Sequence, residues 1–144
     1  MPTGGQVSEE EAEEILAEHK LVTANLVWIG EGRRLKLEAM VLGIDSGRIL
    51  SLRANVGVRN RSVALLYKNV RIRGYCTSRN HLNPGRVLIR EPHKHRYDES
   101  NGDREAYVPN DIRFGNINEE LMDFLIECNI EFRGTYQQVL IPKM

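Results

Sequence analysis

The chain predicts an α+β fold: one curved, mainly antiparallel sheet of about six or seven strands, with an N-terminal helix and a C-terminal helix packed on it. Two patterns carry this expectation. The middle of the 144-residue sequence alternates apolar and polar residues with period two, and both ends place apolar residues at helical spacing behind a capping signal. With 41% apolar and 28% charged residues, a chain of this length can bury one core and does not have the composition of a disordered one. The expected organisation is a single domain over residues 1–144. An acidic helical segment occupies 1–20, a mainly β region 21–110, and a helix plus final strand 111–144.

Residues 8–20 read as a short amphipathic helix. Ser8 precedes Glu11 by three positions, a capping box, and the acids around it suit the positive end of a helix dipole. Ala12, Ile15, Leu16 and His19 form a narrow stripe, leaving the acidic side outward. From residue 21 the period changes, and a β-rich run over 21–29 ends at Gly30-Glu31-Gly32. A meander follows, with strands at 35–44, 48–58 and 62–76 and turns at Asp45-Ser46-Gly47 and near Asn60. Leu50, Leu52, Ala54, Val56 and Val58 alternate with Ser51, Arg53, Asn55, Gly57 and Arg59, so one face is expected to be buried and the other wet and basic. In the long third strand Val70, Ile72 and Gly74 alternate with Arg71, Arg73 and Tyr75, and Asn69 marks a bulge.

Asn83-Pro84-Gly85 marks a turn before a strand at 86–91. The run His93-Lys94-His95-Arg96-Tyr97 is followed by Asn101-Gly102 and a strand at 104–108, a hairpin signature. A second helix begins at Asn116, whose spacing to Glu119 repeats the capping box. Its stripe is Ile117, Leu121, Phe124, Leu125 and Cys128, and Asn129 stops it. Residues 135–141 form the final strand, closed by Pro142.

Twenty basic and twenty acidic side chains give a net charge of zero, but the charge is not evenly spread. Residues 1–32 carry one Lys against seven Glu, residues 33–96 carry fifteen Lys or Arg against three acids, and residues 97–144 carry four against ten. The basic block coincides with the predicted sheet. No apolar stretch is long enough for a membrane span, the first residues lack the pattern of a secretory signal, and Cys76 and Cys128 lie outside any C-x-x-C pair. A cytoplasmic protein with reduced thiols and no membrane partner is expected.

Phosphate-binding loops, zinc-protease and nucleophile-elbow motifs are missing from the sequence. The sharpest local feature is His93-x-His95-Arg96-Tyr97, because strand periodicity puts two imidazoles side by side. Neutral and protonated imidazoles near pH 7 can serve as base and acid, and an adjacent arginine can stabilise a pentavalent phosphate without a cofactor. Such a set suits metal-independent cleavage of RNA by its own 2′-hydroxyl, with His93 and His95 as the acid/base pair, Arg96 on the phosphate and Tyr97 or Tyr107 positioning substrate. Two other readings of the histidines stay open. They are ordinary polar surface, or two ligands of a metal site completed by Cys76, His81 or Asp98.

Lys36, Arg53, Arg71 and Arg73 fall on polar positions of consecutive strands, and Arg90 and Lys94 continue the excess toward the histidines. This face could track an RNA backbone, or it could pair with the chain's own acidic helices. An acidic N-terminal helix docked over it would keep nonspecific polyanions away.

The His93-x-His95-Arg96 run, the acidic turn after it, Tyr107, and the helix containing Leu121-Met122-Asp123-Phe124-Leu125 together resemble the small TumE-type toxins of prokaryotic toxin–antitoxin systems. The resemblance covers the last third of the chain by motif. It implies a curved antiparallel sheet before a histidine strand and a closing helix, with His93, His95 and Arg96 as the functional cluster and an antitoxin as partner. The leading expectation is therefore a small RNA-interacting protein of toxin-endoribonuclease type. The alternative is a non-catalytic interaction module that uses the basic sheet face to bind an acidic protein, or forms a homodimer through that face and the final strand.

Overall fold

The computed structural model describes residues 7–77, 81–83, 88–89, 91–98, 102–113 and 115–139. Its elements run α1 (Glu9–Ala17), β1 (Lys20–Val22), β2 (Ile29–Glu31), β3 (Arg34–Gly43), β4 (Ile49–Val56), β5 (Arg61–Tyr67) and β6 (Val70–Cys76). They continue with β7 (His81–Leu82), β8 (Leu88–Ile89), β9 (His93–Asp98), β10 (Gly102–Tyr107), α2 (Ile117–Glu127) and β11 (Ile130–Phe132). The fold is α+β. A nine-stranded sheet has the order β10-β9-β6-β5-β4-β3-β1-β11, with β2 added alongside β3, and β7 and β8 form a separate pair. Its pairings are antiparallel except for β1 with β11.

Both helices start where their caps predict. Ser8 Oγ accepts from the Glu11 amide at 3.1 Å, and Asn116 Oδ1 accepts from the Glu119 amide at 3.0 Å. Asn129, at φ 57°, supplies the left-handed residue that ends α2. Ala12 and Ile15 of α1, Ile117, Leu121, Phe124 and Leu125 of α2, and Cys128 at its C-cap join one buried cluster with Leu37, Val41, Leu50, Leu52, Ala54, Val63, Leu65 and Tyr75 of the sheet. The sheet therefore has a helix-covered face and an opposite face. The α1 helix ends at Ala17, so His19 is not part of its stripe and instead pairs with Glu131 at 2.9 Å.

The alternation in β4 is as expected through Ala54, but Val58 is exposed in the turn that follows. Residues 62–76 are not one long strand bent at Asn69. Lys68 and Asn69, at φ 52° and 64°, form a two-residue hairpin turn between β5 and β6, where successive left-handed residues match the twist of the strands. The bulge lies further along, where Leu65 pairs with Arg73 and Leu66 with Arg71, leaving buried Ile72 as the extra residue. This insertion turns Arg73 and Tyr75 to the helix side, opposite Leu65 and Val63. They were expected on the wet face.

The run at 21–29 divides into β1, a single bridge at Leu26 and β2. The last strand of the sheet is β11, whereas residues 135–139 contribute one parallel bridge, Leu26 to Tyr136, and residues 140–141 of the expected strand lie outside the described residues. No helix among the described residues is long and apolar enough to cross a membrane.

Candidate functional site

Strand β9 lies between β6 and β10, and its register places Cys76 opposite His93, Gly74 opposite His95, Tyr75 opposite Lys94 and Arg73 opposite Arg96. Period-two alternation then sends the two histidines to one side of the sheet and Lys94 and Arg96 to the other. The imidazoles are neighbours, with ring centroids 5.0 Å apart at 64°. They are also buried: His93 is 0% and His95 6% exposed. His93 Nδ1 lies 3.1 Å from the Glu91 carbonyl. Asn83, next to β7, anchors this region by bonding both the amide and the carbonyl of Ala106, the residue paired with His95, at 2.9 and 2.8 Å.

The four residues expected to act together at a phosphodiester are thus separated. Arg96 lies on the helix side over the Tyr107 ring, 4.8 Å from its centroid, and the Tyr97 hydroxyl donates to the Val7 carbonyl. Consecutive side chains of a strand point to opposite sides of the sheet, so β9 cannot aim His95 and Arg96 at one point. Among the described residues no group of three or more His, Cys, Asp or Glu could hold a metal ion, and the side chains of His81 and Asp98 lie outside them.

The six cations assigned to a nucleic-acid face also divide. Arg73 and Lys94 turn under α2. Arg73 Nε lies 3.3 Å from Glu127 and its Nη1 donates to the Tyr107 hydroxyl at 3.0 Å, while Lys94 Nζ reaches Asp111 at 2.8 Å and Glu127 at 3.0 Å. Burial alone would depress the Lys94 ammonium, but the hydrogen bonds to Asp111 and Glu127 outweigh it and hold the pKa above the ordinary lysine value. Elsewhere in the basic block Arg48 pairs with Glu11, Glu14 and Glu18 around α1, and Arg61 forms a two-point pair with Glu120 of α2 at 2.5 and 3.0 Å. Carboxylates of the two helices and their flanks neutralise these four cations of the basic block. Arg90 lies outside the described residues.

Lys36, Arg53 and Arg71 remain together on the helix-free face. Lys36 pairs in register with Asn55, Arg53 with Glu38 on one side and Ala64 on the other, and Ala64 with Gly74. The Arg71 side chain crosses over Gly74, where an added Cβ would stand 3.0 Å from Arg71 Cδ. A hollow of about 170 Å³ opens among Lys36, Glu38, Arg53 and Asn55. Arg53 and Glu38 face each other across it at 3.6 Å.

Beside these cations the same face carries apolar side chains that sequence reasoning missed. Met40 is 61% and Ile49 62% exposed, with Leu42 paired directly to Ile49 and Met40 next to them. The available signal was the loss of alternation in Ala39-Met40-Val41-Leu42, where both phases become apolar, and an isoleucine at position 49 in phase with Ser51 and Arg53. Charge and apolar surface adjoin on one open sheet face. No curated protein and no solved structure matches the chain. Residues 7–130 match a family of unknown function, DUF6978, and the chain belongs to that family.

Proposed function

We propose that the chain is a non-catalytic protein-interaction module that docks an acidic, partly apolar segment of a partner protein on the helix-free face of β3–β6. The observation that carries this reading is the exposed Met40, Leu42 and Ile49 cluster set beside Lys36, Arg53 and Arg71. Exposed apolar surface rimmed by charge marks contact sites, and opposite charge on the partner speeds and orients docking. Against Arg34, Lys36, Arg53 and Arg71, the outward positions of β3–β6 carry one carboxylate, Glu38, so a second copy of the same face would meet like charge. Those positions hold no aromatic side chain for base stacking, which favours a protein over single-stranded RNA. An antitoxin, the partner implied by the TumE resemblance, belongs to this class. Cys76 and Cys128 are not joined in a disulfide, which supports a reducing, cytoplasmic setting.

Fluorescence anisotropy with a labelled peptide of alternating Glu and Leu tests the reading, beside a Lys/Leu peptide and an RNA oligomer of equal length. The acidic peptide binds most tightly, and Arg53→Glu or the pair Met40→Ser with Ile49→Ser weakens it about tenfold, equivalent to ~1.4 kcal/mol. Preferential RNA binding, or equal binding by all variants, overturns the proposal.

A further inference from the structure

We propose that the cleft between α1 and the β6–β9 strands binds a small zwitterion, with its anionic end on Arg96 and Arg73 and its cationic end toward Glu13. The cleft encloses about 260 Å³ and is lined by Arg73, Arg96 and Tyr97 below and Glu9, Ala12, Glu13 and Leu16 of α1 above. It is separate from the sheet face described above.

The floor is organised by Tyr107. Arg73 donates to the Tyr107 hydroxyl, while Lys94 and Arg96 lie over the ring at 5.4 and 4.8 Å. Two carboxylates, Glu127 and Asp111, serve Arg73 and Lys94, whereas Arg96 has no carboxylate within ion-pair distance among the described residues. Among the described residues, three cations meet two acids at this floor. Arg73 is also held at fixed geometry, 15% exposed between Glu127 and Tyr107, so an anion meeting it finds an ordered donor.

The roof has the opposite character. Glu13 is exposed on α1 at the cleft, and among the described residues no ion pair joins it to the floor. A simple anion that satisfied Arg96 would therefore sit beside a like charge, and a simple cation placed at Glu13 would face the arginines. A molecule carrying both charges answers both walls, and its short carbon chain would lie against Ala12 and Leu16. The volume limits it to a few heavy atoms between the two ends. The shared chemistry is an ammonium linked by two or three carbons to either a phosphate or a carboxylate.

Isothermal titration with phosphoethanolamine and β-alanine separates those two anions, with inorganic phosphate and ethanolamine as single-charge probes. At least one zwitterion binds tenfold more tightly than both single-charge probes. Arg96→Gln lowers that affinity at least tenfold, and Glu13→Gln removes the advantage over inorganic phosphate. Both positions are exposed, and circular dichroism of each variant verifies that it folds; Arg96→Lys, which keeps the charge, retains part of the binding. Equal affinity for zwitterion and inorganic phosphate, no binding by any probe, or undiminished binding by Arg96→Gln overturns the proposal.

Discussion

Lys20 is fully buried, and its ammonium donates to the carbonyls of Ile15, Leu16 and Glu18 at the C-terminal end of α1. It thereby satisfies acceptors that a helix leaves open and places positive charge at the negative end of the dipole. Burial nevertheless pushes its pKa down to about 8, against the raising influence of Cys128, Glu18 and Glu127. The folded chain releases this proton near pH 8 while the unfolded chain holds it to about 10.5, so Lys20 adds stability as pH rises above 8. The Cys128 thiol, pushed up by its own burial, acts in the opposite sense from about pH 9, and Tyr75 does so from about pH 10. Urea unfolding between pH 7 and 9, about one unit either side of the transition, should show a rise in stability that Lys20→Met lacks. Glu120 is a second buried charge, accepting from Arg61 and from the Tyr75 hydroxyl at 2.6 Å. Glu120→Ala leaves Arg61 without this partner and should cost about 3 kcal/mol in the same measurement, with Glu120→Gln costing less. Neither role was legible in the sequence. Glu120 falls on the same helical stripe as Ile117, Leu121 and Phe124, but a carboxylate there reads as solvated until Arg61 and Tyr75 are known to reach it.

The elements with local signals were the readable ones. Both capping boxes, the Asp45-Ser46-Gly47 turn and the alternation of β4 depend on residues a few positions apart, and the chain follows them closely. The Lys68-Asn69 turn was misread because neither residue is glycine, although both take left-handed backbone. Lys68→Val should destabilise the protein by about 1–2 kcal/mol in denaturant unfolding, since a β-branched residue tolerates that conformation poorly, while Asn69→Gly should not. Strand β11 was missed for a different reason. Its three residues follow α2 directly and gain their place only through parallel pairing with Lys20–Val22, more than a hundred positions earlier. The bulge at Ile72 is local, within the β5–β6 hairpin, but no glycine or turn residue marks it in the sequence, and it decided the face taken by Arg73 and Tyr75.

At the scale of the whole molecule, the acidic, basic and acidic blocks of sequence become a basic sheet with acidic helices on one side and, across β3–β6, an open face on the other. Arg48, Arg61, Arg73 and Lys94 meet carboxylates of the helices or their flanks, whereas Lys36, Arg53 and Arg71 share the open face with Met40, Leu42 and Ile49. The charge pattern was legible, but its division between faces was not, because it depends on strand phase and on one bulge. The adjacency of His93 and His95 was likewise legible from period-two alternation, but their burial was not, because it depends on contacts from outside the strand. Titrating ¹⁵N-labelled protein with the acidic Glu/Leu peptide and mapping amide shifts tests the central claim most directly. The account predicts shifts confined to β3, β4 and the neighbouring parts of β5 and β6, abolished by Met40→Ser with Ile49→Ser; shifts centred on β9 around His93 and His95, or none at saturating peptide, would contradict it.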